Sequence, residues 1–207
     1  SGIPLTKSVL FTGVVDEEYA SIGTEDAAKR HDADAALVMD GGPRPCIAHK
    51  GFAWVTVETM GKAAHGSNYI EGVDAVSMMG RFLARVDALN TAYGTEPEHP
   101  LCGRRSIHAS LVEGGKELST YPDYCRARFE RRTLPKEDPS GIVDELNAIV
   151  RDLHSQDPRF EARITLDFVR NGYEIAPDHP LVKALANSIR EVTEDEGPLV
   201  GAYGWLD

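Results

Sequence analysis

Val9-Leu10-Phe11-Thr12-Gly13-Val14-Val15 is a continuous apolar run that stops abruptly at Asp16-Glu17-Glu18, the pattern of a strand buried on both faces of a parallel sheet. A polar helical stretch, about Thr24 to His31, separates it from a second short run, Ala35 to Met39, which ends at Asp40 and the turn pair Gly41-Gly42. Strand, helix, strand predicts one βαβ unit with parallel strands and a right-handed crossover. Beyond Gly51 the period changes. Gly51 to Thr59 alternates, with Phe52, Trp54 and Thr56 against Ala53, Val55 and Val57, as in a sheet with one solvated face. From Gly72 to Leu89 the apolar positions Ala75, Met79, Phe82, Val86 and Leu89 fall at helical spacing. Ser106 to Val112 and Tyr124 to Arg132 alternate as strands, with a Gly114-Gly115 turn between them. Asp138-Pro139 starts a helix striped by Ile142, Leu146, Ile149 and Leu153. Phe160 to Phe168 alternates strictly, and Pro180 to Val192 is a last helix, broken at Glu194-Asp195-Glu196-Gly197-Pro198 before a short run toward Tyr203-Gly204-Trp205-Leu206-Asp207.

From Gly51 to Phe168 the order is β-α-β-β-α-β, the ferredoxin-like pattern, which packs two helices on one face of an antiparallel sheet. The fold class expected is therefore α/β: a partial α/β domain carrying an inserted ferredoxin-like domain. The boundaries expected are 1–48 for the first part of the α/β domain, 49–168 for the insertion and 169–207 for the return. One βαβ unit, one helix and an incipient strand are too little sheet to bury both faces, so further sequence is expected at both ends of the natural protein. The helix near Gly72 to Leu89 carries Val73, Val76, Met78, Met79, Phe82 and Leu83, an apolar surplus beyond one covered face that points to self-association.

Composition narrows the classes. A net charge of −11 argues against a nucleic-acid surface, which is ordinarily basic. No apolar run approaches the length of a membrane span, and Ser1-Gly2-Ile3-Pro4 lacks the marks of a secretory leader. Three widely spaced cysteines, Cys46, Cys102 and Cys125, read as reduced thiols of a cytoplasmic protein.

The strongest candidate chemistry is Asp16-Glu17-Glu18 at the carboxyl end of one expected strand and Asp40 at the end of the next, where ligands of open α/β sheets bind. Such carboxylates either surround a cation with a general base beside it, or cap the following helix and sit in a solvated turn. Ala63-Ala64-His65-Gly66-Ser67 is a second feature, a histidine in a small-residue loop that is either functional or simply exposed. Arg104-Arg105 and Arg131-Arg132 read as solvated strand ends, though an arginine also holds a carboxylate in a bidentate fork.

Taken together, several segments resemble one family. Val14-Val15-Asp16-Glu17-Glu18 with Gly23, then Gly61-Lys62-Ala63-Ala64-His65-Gly66-Ser67 followed by Gly72-Val73-Asp74-Ala75, and the stretch from Ser106 through Gly114-Gly115 and Tyr121-Pro122 to Arg132-Thr133-Leu134-Pro135 resemble the two-zinc metallopeptidases that include acetylornithine deacetylase, succinyl-diaminopimelate desuccinylase, aminoacylase and carboxypeptidase G. The resemblance implies a zinc-dependent amidohydrolase acting on an N-acylated amino acid or short peptide, deacetylase- or desuccinylase-like, with a dipeptidase or carboxypeptidase as the alternative. It implies two zinc ions, with cobalt or manganese as substitutes, and a homodimer formed through the inserted lid. Glu17 is then the general base, Glu18 and Asp40 each bind a zinc, His65 reaches the partner subunit's site to stabilise an oxyanion, and Arg132 binds a substrate carboxylate. The family uses five metal ligands, and only Glu18 and Asp40 have matches here. Its His-x-Asp pair and bridging aspartate before Asp16 are absent, as is its histidine beyond Asp207. The chain by itself is thus expected to be inactive, and a non-catalytic dimerisation module is the reading from another class. Ser119-Thr120-Tyr121-Pro122 replaces a common Asn-x-x-Pro, and Glu130 stands where an aspartate is usual.

Overall fold

The computed structural model describes residues 6–40, 42–194 and 196–207. Ser1 to Pro4, Gly41 of the expected turn and Asp195 of the expected break lie outside the described residues. The chain divides into two units, Ser1–Gly42 with Leu206–Asp207, and Pro43–Trp205.

In the first unit the helix α1 spans Ile22–Arg30, two residues ahead of the expected start. Its exposed face carries two ion pairs at helical spacing, Glu25 with Lys29 and Asp26 with Arg30, each adding a few tenths of a kcal/mol. The two strands expected at Val9 to Val15 and Ala35 to Met39 do not form: among the described residues neither segment joins a ladder. Phe11 is 90% and Met39 95% exposed. A strand's backbone groups are satisfied by its neighbours, and these two segments do not pair with each other.

The second unit is built on β2 (Gly51–Met60), β3 (Ser106–Gly114), β4 (Tyr124–Thr133) and β5 (Glu161–Arg170), with β1 (Cys46–His49) preceding them. The four form one antiparallel sheet in the order β3-β4-β2-β5. Helix α2 (Ala75–Tyr93) follows β2, and α3 (Ile142–Gln156) follows β4 after a single 3-10 turn at Pro139–Gly141. Asp138 caps as expected, here the 3-10 turn that leads into α3, and Asp74 caps α2 in the same way. The Asp74 carboxylate accepts from the Ser77 N–H at 2.9 Å, and Asp138 accepts from the Ser140 N–H at 2.9 Å. Strand alternation then sorts the faces. Ala53, Val55 and Val57 from β2 and Cys125, Ala127 and Phe129 from β4 point into one core with Met78, Met79, Phe82 and Val86 of α2 and Leu146 and Leu153 of α3. Each large side chain buried there contributes about 1.5–3 kcal/mol.

This packing removes the apolar surplus assigned to the first inserted helix. Met78, Met79 and Phe82 are spent on their own sheet, and of that set Val76 is the one left open, 41% exposed. It lies against Gly114 of β3. The register of β3 slips between Ala109 and Leu111, and Val112 on this edge strand is 52% exposed.

A smaller sheet holds β1 between β6 (Tyr173–Glu174), antiparallel to it, and β7 (Val200–Ala202), parallel to it. Helix α4, Pro180–Thr193, precedes β7. The chain passes between the two sheets at Lys50–Gly51 and at Asn171–Gly172. There a Cβ on Gly172 would sit 2.9 Å from both the Gly51 nitrogen and the His49 oxygen, so two glycines let the passing backbones touch.

Candidate active site

The first unit brings acidic residues together. Val15 to Gly23 is a compact turn in which Asp16 adopts φ +67°, a left-handed conformation that aspartate tolerates better than most residues. Its carbonyl accepts from the Ser21 N–H at 2.7 Å, and the Gly23 N–H closes on the Val15 carbonyl at 3.3 Å. A Cβ on Gly23 would stand 2.6 Å from both the nitrogen and the oxygen of Val15. The glycine seven residues after Asp16 is therefore the closure of this turn. Glu17 and Glu18 lie exposed on it. Partial desolvation, then the negative charges of Glu18, Asp40 and Asp207, raise the Glu17 pKa above the usual carboxylate value, so its basicity is tuned upward by its neighbours. Asp207 was not singled out from the sequence, and nothing local marks it. It is fixed here by a short hydrogen bond from the Thr24 hydroxyl, with its other oxygen buried and without a partner among the described residues.

Carboxylates of this kind suit a divalent cation. Yet among the described residues no group of three or more His, Cys, Asp or Glu is placed to hold one. Glu18 and Asp40 are two carboxylates, whereas a zinc site takes three or four protein ligands and prefers some nitrogen or sulfur.

His65 lies in the second unit. Its loop, residues 61–73, is closed by a bridge between Lys62 and Val73 and by an ion pair of Lys62 with Glu71. It is anchored on the segment before β4, where the Gly66 N–H donates to the Ser119 carbonyl at 2.7 Å and the Tyr121 N–H to the Ala64 carbonyl at 2.9 Å. The Ser67 N–H donates to His65 Nδ1 at 3.3 Å, with the Ser67 hydroxyl 2.8 Å from the same nitrogen. Because a backbone N–H only donates, Nδ1 is the acceptor, and the neutral ring carries its proton on Nε2. Nε2 has no partner among the described residues and presents an N–H outward, the arrangement an oxyanion requires.

Arg132 lies on the face of the sheet opposite the helices. Arg131, its neighbour, does not: it is 2% exposed, which corrects its reading as a solvated strand end. Arg131 Nη2 donates to Glu137 at 2.6 Å and Nη1 to the Arg132 carbonyl at 2.6 Å, with the guanidinium 4.5 Å from the Tyr93 ring centre. Arg105 is likewise engaged, with Glu96 at 2.6 Å and Glu137 at 3.3 Å.

Residues 47–158 match a family model described as peptidase dimerisation domain. That match covers more than half of the chain, and the chain belongs to the M20 peptidase family through this domain. It is 27% identical over 183 residues to an acetylornithine deacetylase of Myxococcus xanthus, covering 84% of this chain and 47% of that protein. A relative of the same name from Vibrio cholerae is 24% identical over 200 residues, covering 94% and 52%. The chain thus spans about half the length of the curated relatives it matches. In fold it resembles a tripeptidase from Staphylococcus aureus, with TM-score 0.71 and 18% identity over 93% of this chain and 50% of that one. It also resembles an M20 family metallo-carboxypeptidase from Sulfolobus solfataricus, with TM-score 0.59 and 16% identity over 83% and 50%. No helix among the described residues is long and apolar enough to cross a membrane.

Proposed function

We propose that the protein is a cytoplasmic zinc-dependent hydrolase of the M20 family that cleaves the amide bond of an N-acylated amino acid or short peptide, in the manner of a deacetylase or desuccinylase. The observation that carries the reading is the gathering of negative charge around Glu17, in a chain whose dimerisation domain belongs to a metallopeptidase family. Residues 1–48 and 169–207 would be parts of the catalytic domain, and residues 49–168 a ferredoxin-like lid through which two copies pair. Zinc, when bound, supplies a water acidified toward neutrality and a polarised carbonyl. Glu18 and Asp40 would contribute two of the ligands, and cobalt or manganese could replace zinc in them. Glu17 would take the proton from the attacking water and pass it to the leaving nitrogen. His65 would donate its Nε2–H to the oxyanion of the partner subunit's site, and Arg132 would hold the substrate's carboxylate.

The test is Glu17→Gln in the zinc-loaded protein. Metal content should stay at the wild-type level while kcat falls by at least about a hundredfold, the low end for loss of a general base. An unchanged kcat would remove Glu17 from the mechanism. Running N-acetyl amino acids against dipeptides as substrates separates the deacetylase reading from the dipeptidase or carboxypeptidase alternative. A protein that binds no zinc at all would favour a dimerisation module without catalysis.

A further inference from the structure

Arg132 has a setting that its role as a carboxylate ligand does not by itself require. Its Nε donates to Glu130 Oε1 at 2.7 Å. The other oxygen of Glu130 accepts from the Trp54 indole N–H at 3.1 Å. Below, the guanidinium carbon lies 5.2 Å from the ring centre of Phe52. Strand geometry produces this set. Glu130 and Arg132 are two residues apart on β4 and share its outer face, while β2 places Phe52 opposite Arg132 and Trp54 opposite Glu130 in the register. Phe52 and Trp54 support each other at 5.2 Å between ring centres. Burial alone would raise the Glu130 pKa, but the hydrogen bonds from Arg132 and Trp54 outweigh it and hold the carboxyl below its usual range. Both oxygens of Glu130 are thereby used inside the set. The two terminal nitrogens of Arg132 have no partner among the described residues.

We propose that Glu130, Trp54 and Phe52 are positioning residues that lock the Arg132 guanidinium at its Nε edge and lower face, leaving Nη1 and Nη2 as a preformed two-point seat for a carboxylate. This rests on the reading of Arg132 as the substrate-carboxylate ligand and adds what makes that ligand selective. An arginine free to rotate loses side-chain entropy when it binds, whereas a pinned planar fork meets a carboxylate's two oxygens without reorganising. The extra methylene of glutamate also has a use here. It lets one carboxylate span from the Arg132 Nε to the Trp54 indole, where a shorter aspartate reaches less far.

The experiment compares a substrate acid with its carboxamide in the zinc-loaded protein, using Glu130→Gln, Trp54→Phe and Arg132→Lys. Glu130→Gln should raise KM for the acid about tenfold with kcat little changed, the pattern of lost ground-state positioning, and should leave KM for the carboxamide where it was. Trp54→Phe should move KM the same way by a smaller factor. In the metal-free protein, the Arg132 Nε–H nuclear magnetic resonance signal should be sharp and slow to exchange, and should broaden in Glu130→Gln. If Arg132→Lys raises KM for the acid but Glu130→Gln does not, positioning is refuted and the carboxylate ligand stands. If Arg132→Lys has no effect on the acid, the ligand assignment itself fails. Equal changes for acid and carboxamide, or an unaltered Nε–H signal, would assign Glu130 to structure alone and overturn the proposal.

Discussion

Replacing Glu137 by glutamine should destabilise the second unit far more than the loss of one surface contact. Glu137 is the carboxylate that Arg131 reaches directly, and Arg131 is almost wholly buried. Glu137 also accepts from the Leu134 N–H at 2.9 Å and from Arg105 at 3.3 Å, so it ties the turn after β4 to two arginines. Breaking a buried ion pair from one side costs about 3–5 kcal/mol because a charge is left uncompensated. Arg131 would keep the Arg132 carbonyl, and its Nε stays 3.6 Å from Glu145, close enough for charge attraction but making no hydrogen bond. Those remaining partners put the expected loss at the lower end, about 3 kcal/mol. Arg131→Met should cost less. Without the cation, Glu137 still has Arg105 and the Leu134 N–H, and Glu145 still has the Tyr93 hydroxyl at 2.5 Å. The double variant should therefore be clearly more stable than the sum of the singles, with a coupling of about 2 kcal/mol. Urea unfolding followed by tryptophan fluorescence measures all three. A Glu137→Gln loss below about 1 kcal/mol, or additivity within about 0.5 kcal/mol, would refute the claim that this pair is held against its own desolvation.

Light scattering at micromolar concentration should give a dimer, since β3 offers an unpaired edge beside the open Val76 and Val112; Val76→Asp or Val112→Lys should shift it toward a folded monomer, and a wild-type monomer would sink the lid as the dimer contact. Met79→Asp should instead unfold the unit, because that side chain belongs to the core. Burial lowers the His49 pKa, so below its ordinary value of about 6.5 the unfolded chain takes up a proton that the folded one resists. Stability should then be full above that pH and fall as the pH drops through it, and His49→Phe should flatten this part of the profile; an identical pH profile in the variant would exclude His49 as the cause.

The inserted unit was legible in the sequence because its sheet is covered on one face. A covered face writes period two into every strand and period 3.6 into each helix, and Asp138 with Pro139 marks one helix start chemically. β1 and β6 escaped because four and two residues are too few to show a period. The first unit was misread for a different reason. An apolar run states that a segment prefers burial, but not which neighbour will bury it, and Val9 to Val15 finds none among the described residues. For the acidic site, Glu17, Glu18 and Asp40 stood out by their places after apolar runs. Asp207 had no such mark, since its nearness to Glu17 arises only when the distant end of the chain folds back on this unit.

The two adjacent arginines show how much a single strand can decide. Cys125, Ala127 and Phe129 already commit the odd-numbered residues of β4 to the covered face, so Arg131 had to be buried and Arg132 had to face out. Reading both as solvated ends ignored that parity. Parity also links their roles. The inward arginine spends one nitrogen on Glu137 and another on the Arg132 carbonyl, so the buried network holds the peptide from which the outward arginine projects. Glu130, again of even parity, then fixes the outward side chain at its Nε. Backbone and side chain of Arg132 are thus restrained from opposite faces of the sheet by different carboxylates, while its terminal nitrogens have no partner among the described residues.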